Sequence, residues 1–400
     1  MDGSMVIIGG GLAAAKSAEA LRERGFDGAI SVVAAEHHLP YERPPLSKDF
    51  LAGKAERSSV FPHDGDWYAR HRVDVHTGVR ATKIDRDGRF VILDDGSALH
   101  YDKLILATGS SPRRFLGDPD VAYLRTLDDS ERLRTYLGDG RRLVVVGAGW
   151  IGLEVAATAL QAGTEVTVIE PQPLPLAGIL GDRVAEVIAD LHRGHGVDLR
   201  LDTGVDSIAV GDAPGGTVVT DDGTSLAADV ILVGIGAVPE VALATDAGLS
   251  VSNGVDVDGG LRTSDPNIFA VGDIANQEHP LFGRLRVEHW ATALNQPAVA
   301  AANALGHDET YDRLPYFFTD QYDFGMEYRG HASGKDRVVI RGDTGALKFL
   351  AFWLDDDSRV LAGMNVNLWD DGEAIAELIT SGRPVSPDRL TDPEVPLDAV

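Results

Sequence analysis

Two glycine-rich loops carry the residues with the clearest chemical purpose. Gly9-x-Gly11-x-x-Ala14 follows the apolar run Val6-Ile7-Ile8 and opens a helical stretch from Ala13 to Arg24, closed by Gly25. Gly147-x-Gly149-x-x-Gly152 follows Leu143-Val144-Val145-Val146 and opens a helical stretch from Ile151 to Gln161, closed by Gly163. In such a loop the first glycine makes the tight turn and the second lets a pyrophosphate approach the backbone. The third small residue lets helix and strand pack closely. The helix starts, at Leu12-Ala13 and at Ile151, offer backbone N–H groups and a partial positive charge to phosphates. An acidic residue ending the next strand accepts from a ribose hydroxyl. Glu36 stands there after Ser31–Ala35, and Glu170 after Glu165–Ile169. A carboxylate at Glu170 repels a 2′-phosphate, and Pro171-Gln172-Pro173 brings no Arg or Lys to clamp one. The second loop is therefore expected to take NADH in preference to NADPH. Two such units call for two dinucleotides; FAD in one and NAD in the other would make a hydride relay from nicotinamide to flavin.

The elements that must position these loops alternate strand and helix, which points to an α/β sheet. Three more apolar strands end in turns: Leu104–Leu106 before Ala107-Thr108-Gly109, Val230–Val233 before Gly234-Ile235-Gly236, and Ile268–Val271 before Gly272-Asp273. From about Tyr311 aromatics cluster, and strand-like runs follow at Arg337–Arg341 and Leu347–Leu354. The expected fold is α/β, with two Rossmann-like dinucleotide-binding domains and a C-terminal α+β domain, mostly antiparallel. The expected boundaries are 1–110 with 238–310 for a split FAD domain, 111–237 for an inserted NAD domain and 311–400 for the C-terminal domain. The Pro- and Asp-rich end from Pro384 reads as an extended tail. His192 and His195 read as surface residues at a helix end.

Composition narrows the class. The chain has 400 residues, 36 Lys+Arg against 62 Asp+Glu, a formal charge of −26, and no cysteine. Without cysteine there is no disulfide, thiolate metal site or thiol nucleophile. The acidic balance argues against nucleic acid, since phosphate binding needs clustered Lys and Arg, and against an anionic membrane surface. No run approaches the roughly 20 apolar residues of a spanning helix. The start of the chain enters a strand at once, so a soluble cytoplasmic protein is expected. The expected assembly is a monomer or weak homodimer, a state that no motif in the sequence fixes.

Further segments resemble a known family, the FAD-dependent, NADH-using ferredoxin reductases of oxygenase systems (the putidaredoxin reductase type), which share the glutathione-reductase-like fold. The matching segments are Tyr41-Glu42-Arg43-Pro44-Pro45-Leu46-Ser47-Lys48, Ala107-Thr108-Gly109-Ser110-Ser111-Pro112, Thr263 through Asp273, Glu288-His289-Trp290 and Thr319-Asp320-Gln321-Tyr322. The resemblance implies that Asp273, after Gly272, accepts from an FAD ribityl hydroxyl. It places Lys48 near the flavin, where a cation favours the reduced ring. It places Arg43, Arg125, the Ala81 backbone and the turns at Ala107-Thr108-Gly109 and Gly236 in contact with cofactors. Trp150 would cover the flavin until nicotinamide displaces it, Glu154 would lie by the carboxamide, and Trp290, flanked by Glu288 and His289, would lie at the pyrimidine end.

Relatives that reduce disulfides need a redox cysteine beside the flavin. This chain has none, so its electrons must leave for a partner, which the resemblance implies is a small 2Fe–2S ferredoxin. Rubredoxin or nitrite-reductase-type supply is an alternative. So is an NADH-sensing role like that of apoptosis-inducing-factor relatives. An acidic ferredoxin calls for a local basic patch, with Arg284/Arg286, Arg113/Arg114 and Arg329 to Arg341 as candidates.

Overall fold

The computed structural model describes residues 3–117, 119–211 and 214–400. The chain divides into two compact units. The first comprises the chain up to Arg43, Glu56–Ser111 and Ala237–Pro315. The second comprises Pro44–Ala55, Pro112–Gly236 and Tyr316–Val400.

The first unit is built on a five-stranded parallel sheet in the order Ile268–Ala270, Lys103–Leu106, Ser4–Ile8, Ala29–Ala34, Val73–Thr77. Its inner strands are near-continuous apolar runs because both faces are covered, whereas the edge strand Val73–Thr77 alternates with polar residues. Ile7, Val32, Leu104, Ile105 and Phe269 are fully buried. The Leu12–Glu23 helix leaves the end of the first strand and packs against the Trp290–Ala304 helix. Alanines make that approach close: Ala14, Ala15, Ala18, Ala300 and Ala301 have no exposed surface. An antiparallel three-stranded sheet, Ala81–Asp85, Phe90–Leu93 and Ala98–His100, extends this unit.

The second unit repeats the plan with a four-stranded parallel sheet, ordered Asp198–Arg200, Glu165–Ile169, Arg142–Val146, Val230–Val233. The Trp150–Gln161 helix follows its central strand. The same unit holds a five-stranded antiparallel sheet, ordered Tyr316–Gln321, Phe324–Gly330, Val360–Val366, Lys348–Leu354, Arg337–Asp343. The aromatic clustering seen in the sequence becomes its core, with Phe349, Phe352 and Trp353 fully buried, and the Gly372–Ser381 helix packs against it. The expected fold class is the observed one: parallel sheets opening at glycine loops, with a separate antiparallel sheet near the C-terminus.

Two expectations fail. The segment from Pro384 is not an extended tail. It forms the Pro387–Thr391 helix, buries Val385, Leu390 and Leu397, and is tied down where the Arg341 guanidinium donates to the Asp392 and Pro393 carbonyls. Its few apolar residues are spaced too widely to show a period, yet the Pro387–Thr391 helix packs on the Arg337–Asp343 strand and the Leu397–Ala399 turn on the Gly372–Ser381 helix. His192 is not at the surface. It is fully buried on the Asp182–His195 helix, with Nε2 2.8 Å from Gln321 Oε1. His195 stacks on Tyr322 at 3.8 Å between ring centroids.

Burial pushes the His192 imidazole down to about 4, with His195 adding repulsion and Gln321 opposing. The unfolded ring titrates near 6.5, so between these values the unfolded chain binds more protons. Stability from this group is complete above about pH 6.5 and is lost as pH falls toward 4. From pH 7 to pH 5 the loss is about 2 kcal/mol. Thermal melts of the wild type and H192F should therefore differ in slope: H192F loses less Tm over that interval. An equal loss in both would contradict the buried neutral ring.

Candidate functional site

In the first unit the glycine loop is a cradle by construction. Gly9 has φ of +152°, and a Cβ there would meet the Ala107 carbonyl oxygen at 2.1 Å. Only glycine fits. Ala107 N–H donates to Ile8, so the predicted turn Ala107-Thr108-Gly109 backs the loop directly. Thr108 Oγ1 donates to the Glu240 carbonyl at 2.7 Å, and Glu240 N–H donates to the Gly109 carbonyl. Gly11 caps the Leu12–Glu23 helix without a side-chain bond, and a Cβ there meets nothing within 4 Å. No acidic residue lies in that helix's first turn. An open approach to a helix N-terminus with no competing carboxylate fits a pyrophosphate.

Glu36 follows the second strand, and its carboxylate is already oriented. Oε2 accepts from Tyr41 Oη at 2.5 Å and Oε1 from Arg43 at 3.3 Å. A carboxylate has about four acceptor positions, so capacity remains for a ribose. Burial lowers Arg43, but Tyr41, Glu36 and Asp273 outweigh it and hold the guanidinium above its usual range. Gly272, at φ +74°, donates its N–H to Gln296 Oε1 at 2.8 Å and faces Ala13. The Gly272-Asp273 turn and the first loop thus share one neighbourhood. Arg286 donates to the Asp273 carbonyl and pairs with Glu288 at 2.7 Å. His289 is the N-cap of the helix that Trp290 begins, and Trp290 Nε1 donates to Glu42 Oε2 at 2.9 Å. Ala81 stands apart, at the start of the antiparallel sheet. It is reached through Val79, whose N–H donates to Ala34.

The second unit repeats the cradle. Gly147 has φ of +102°, and a Cβ on it would lie 2.6 Å from the Gly234 carbonyl oxygen. A Cβ on Gly152 would lie 2.2 Å from the Gly147 carbonyl oxygen, so the third glycine is required by helix–strand packing. Gly149 caps the Trp150–Gln161 helix with no side-chain bond and no acidic residue in the first turn. Glu170 reaches back into the loop, its Oε2 accepting from Ala148 N–H at 2.8 Å and its Oε1 from Gln172 N–H at 3.0 Å. Ile151, on the first turn of the helix, is 44% exposed, a large apolar surface left at the cradle. Gly236 accepts from Arg113 N–H, and Arg125 N–H donates to Asp129 in the capping box of the Leu127–Arg134 helix.

The Trp150–Gln161 helix carries Glu154, which is only 4% exposed. Oε1 takes Lys48 Nζ at 2.6 Å and Thr319 Oγ1 at 2.5 Å, and Oε2 takes Ser47 Oγ at 2.5 Å. A buried carboxylate needs this kind of partner set. Lys48 also lies 5.7 Å from the Phe318 ring centroid. Burial pushes the neighbouring Asp320 carboxyl up, while Lys48 pulls it back. Trp150 leans on Phe317 with centroids 4.7 Å apart. The structure thus brings Lys48, Trp150 and Glu154 together with the second cradle. Ser47 and Thr319 belong to recognised motifs, but nothing local in the sequence assigns them to Glu154. Glu42 and Gln296 likewise emerge only in three dimensions.

Comparison with known proteins places this architecture. The pyridine nucleotide-disulphide oxidoreductase family matches residues 3–297, and a reductase C-terminal family matches residues 316–400. The chain belongs to the pyridine nucleotide-disulphide oxidoreductase family. Among its relatives, the ferredoxin–NAD(+) reductase component of the anthranilate 1,2-dioxygenase system of Burkholderia cepacia is 44% identical over 98% of both chains. Putidaredoxin reductase of Pseudomonas putida is 39% identical over 99% of this chain and 96% of its own. The covalent putidaredoxin reductase–putidaredoxin complex superposes with a TM-score of 0.94 at 38% identity, covering 99% of this chain and 97% of that one. Within the family the chain is a reductase of the putidaredoxin reductase type, as the motifs implied.

The two cradles separate fold from binding at the level of single atoms. Gly11→Ala places a methyl group in open space, so the variant should keep its apoprotein Tm and lose at least tenfold in FAD affinity, about 1.4 kcal/mol. Gly152→Ala should instead lower Tm by forcing helix and strand apart. Fluorescence titration of the apoprotein with FAD and thermal melts check both. A G11A protein that binds FAD like the wild type would contradict the cradle.

Proposed function

We propose that this chain is an NADH:ferredoxin reductase, passing electrons from NADH by way of bound FAD to a small 2Fe–2S ferredoxin that feeds an oxygenase. The observation that carries the reading is the pair of dinucleotide cradles in a chain with no thiol. Bound FAD supplies the exchange between a two-electron hydride donor and one-electron carriers. The first loop, Gly9 to Ala14, holds the FAD pyrophosphate, and Glu36 its ribose. Asp273 takes a ribityl hydroxyl, and Ala107, Thr108 and Gly109 line the turn behind the loop. The second loop, Gly147 to Gly152, holds the NADH pyrophosphate. Glu170, fixed by two backbone N–H groups, takes the adenosine 2′-hydroxyl and disfavours NADPH. Lys48 presents a cation to the flavin from a position set by Glu154. Trp150 covers the flavin until nicotinamide arrives, and Trp290, oriented by Glu42, holds the nicotinamide. Positioning, rather than acid–base chemistry, is what hydride transfer needs from these side chains.

The domain reading assigns 1–110 with 238–310 to FAD, 111–237 to NAD and 311–400 to a closing domain. The duplicated loops support it, although Pro44–Ala55 packs within the second compact unit. The cytoplasm, where the NADH pool lies, is the proposed compartment. Among the described residues no helix is long and apolar enough to cross a membrane. The basic patches are modest. Arg284 and Arg286 are paired with Glu278 and Glu288, and Arg329 with Glu327. Arg113 and Arg114 are exposed, with Arg114 over the Tyr123 ring, and they remain candidates for steering a ferredoxin.

The test is cytochrome c reduction by NADH with and without an added 2Fe–2S ferredoxin. Ferredoxin should raise the rate at least tenfold. Equal rates with and without it, or flavin reduction so slow that an NAD complex persists, would favour the sensing alternative.

A further inference from the structure

A line of buried hydrogen bonds in the second unit runs beyond the groups assigned above. His192 Nε2 lies 2.8 Å from Gln321 Oε1. Gln321 Nε2 donates to Thr319 Oγ1 at 3.2 Å, and Thr319 Oγ1 donates to Glu154 Oε1 at 2.5 Å. That oxygen holds Lys48 Nζ at 2.6 Å. His192 and Thr319 are fully buried, Gln321 is 3% exposed and Glu154 4%. We propose that His192 is a positioning residue for Lys48: through Gln321 it fixes where the Thr319 hydroxyl points, and so where Glu154 holds the ammonium.

Hydrogen-bond polarity sets the direction of the whole line. A neutral imidazole carries one N–H. His192 Nδ1 is buried with no hydrogen-bond partner. A buried N–H without an acceptor is rarer and costlier than a bare lone pair, so the proton belongs on Nε2. The ring is therefore a donor, and the Gln321 amide must turn its oxygen to His192 and its NH2 to Thr319. The threonine hydroxyl has a single proton. With its oxygen accepting from the amide, that proton is directed to Glu154. Burial keeps the ring neutral and the polarity constant over the physiological range. An apolar side chain at position 192 removes the donor and lets the amide turn over. The turned amide accepts the Thr319 proton and takes it from Glu154. The carboxylate then loses one of its three fixed partners and with it the orientation that Lys48 follows.

The inference deepens the functional reading above, in which Lys48 faces the flavin, but its first readout is independent of that reading. The FAD-loaded protein is acetylated with a water-soluble lysine reagent, and Lys48 labelling is followed by mass spectrometry against exposed Lys54 as an internal reference. H192F should raise the Lys48:Lys54 rate ratio at least threefold. H192Q, whose amide N–H replaces the Nε2 donor, should stay within twofold of the wild type. An unchanged ratio in H192F, or equal rises in H192F and H192Q, would overturn the proposal in favour of plain packing. The second readout is the two-electron reduction potential of the flavin. H192F should shift it in the same direction as K48M, by threefold or more in the equilibrium constant, about 14 mV. A K48M potential equal to the wild type would sink the placement of Lys48 at the flavin, and the labelling ratio would still decide the positioning role.

Discussion

A carboxylate buried on a helix dictates much of how the second unit is assembled. Glu154 lies on an otherwise apolar stretch, Gly152 to Ala157, that packs into the interior. An ionised group there is tolerated only when its acceptors are filled and its charge is balanced. The partners come from distant stretches of chain: Ser47 and Lys48 from the segment after the first βαβ unit, and Thr319 from the first strand of the antiparallel sheet. Thr158, one turn further along the helix, donates to the Ser47 carbonyl and fastens that segment again. Removing one partner of such a pair leaves an uncompensated buried charge, at a cost of about 3–5 kcal/mol. The Pro44–Ala55 segment and the antiparallel sheet are therefore bound to the Trp150–Gln161 helix by electrostatics as well as by packing. Lys48 is held in a way that a surface lysine never is.

The two glycine loops solve one geometric problem twice, with different backing. In each, a positive-φ glycine turns against the carbonyl of a neighbouring strand end, Ala107 in one unit and Gly234 in the other. In each, a carboxylate at the end of the next strand is preoriented, but by different donors. Side chains of Tyr41 and Arg43 hold Glu36, whereas backbone N–H groups hold Glu170. The Glu170 carboxylate is anchored through backbone N–H groups rather than through a cation's side chain, and a carboxylate at this position favours a ribose hydroxyl over a phosphate.

How much of this is legible in the chain follows from the range of each interaction. The loops, their strands and Glu170 are local patterns, and the structure places each where its spacing implied. Lys48, Trp150 and Glu154 are readable as candidates by resemblance, but their mutual contact is not, because the chain separates them widely. Ser47, Thr319, Gln321 and His192 form one network only after folding. His192 in particular looks like any histidine at a helix end until Gln321 is seen to cover it. The C-terminal segment misleads for a related reason. Its composition is that of a linker, and its order comes from Arg341 and a few well-placed apolar residues.

The absence of cysteine limits how many electrons the protein can hold. Relatives with a redox thiol can store a second electron pair, whereas this chain has no cysteine to do so beside its FAD. Anaerobic titration of the oxidised holoenzyme with NADH, followed by loss of the flavin's visible absorbance, measures that capacity directly. Complete bleaching is expected at one NADH per FAD. Uptake of a second equivalent, or no bleaching at all, would contradict it.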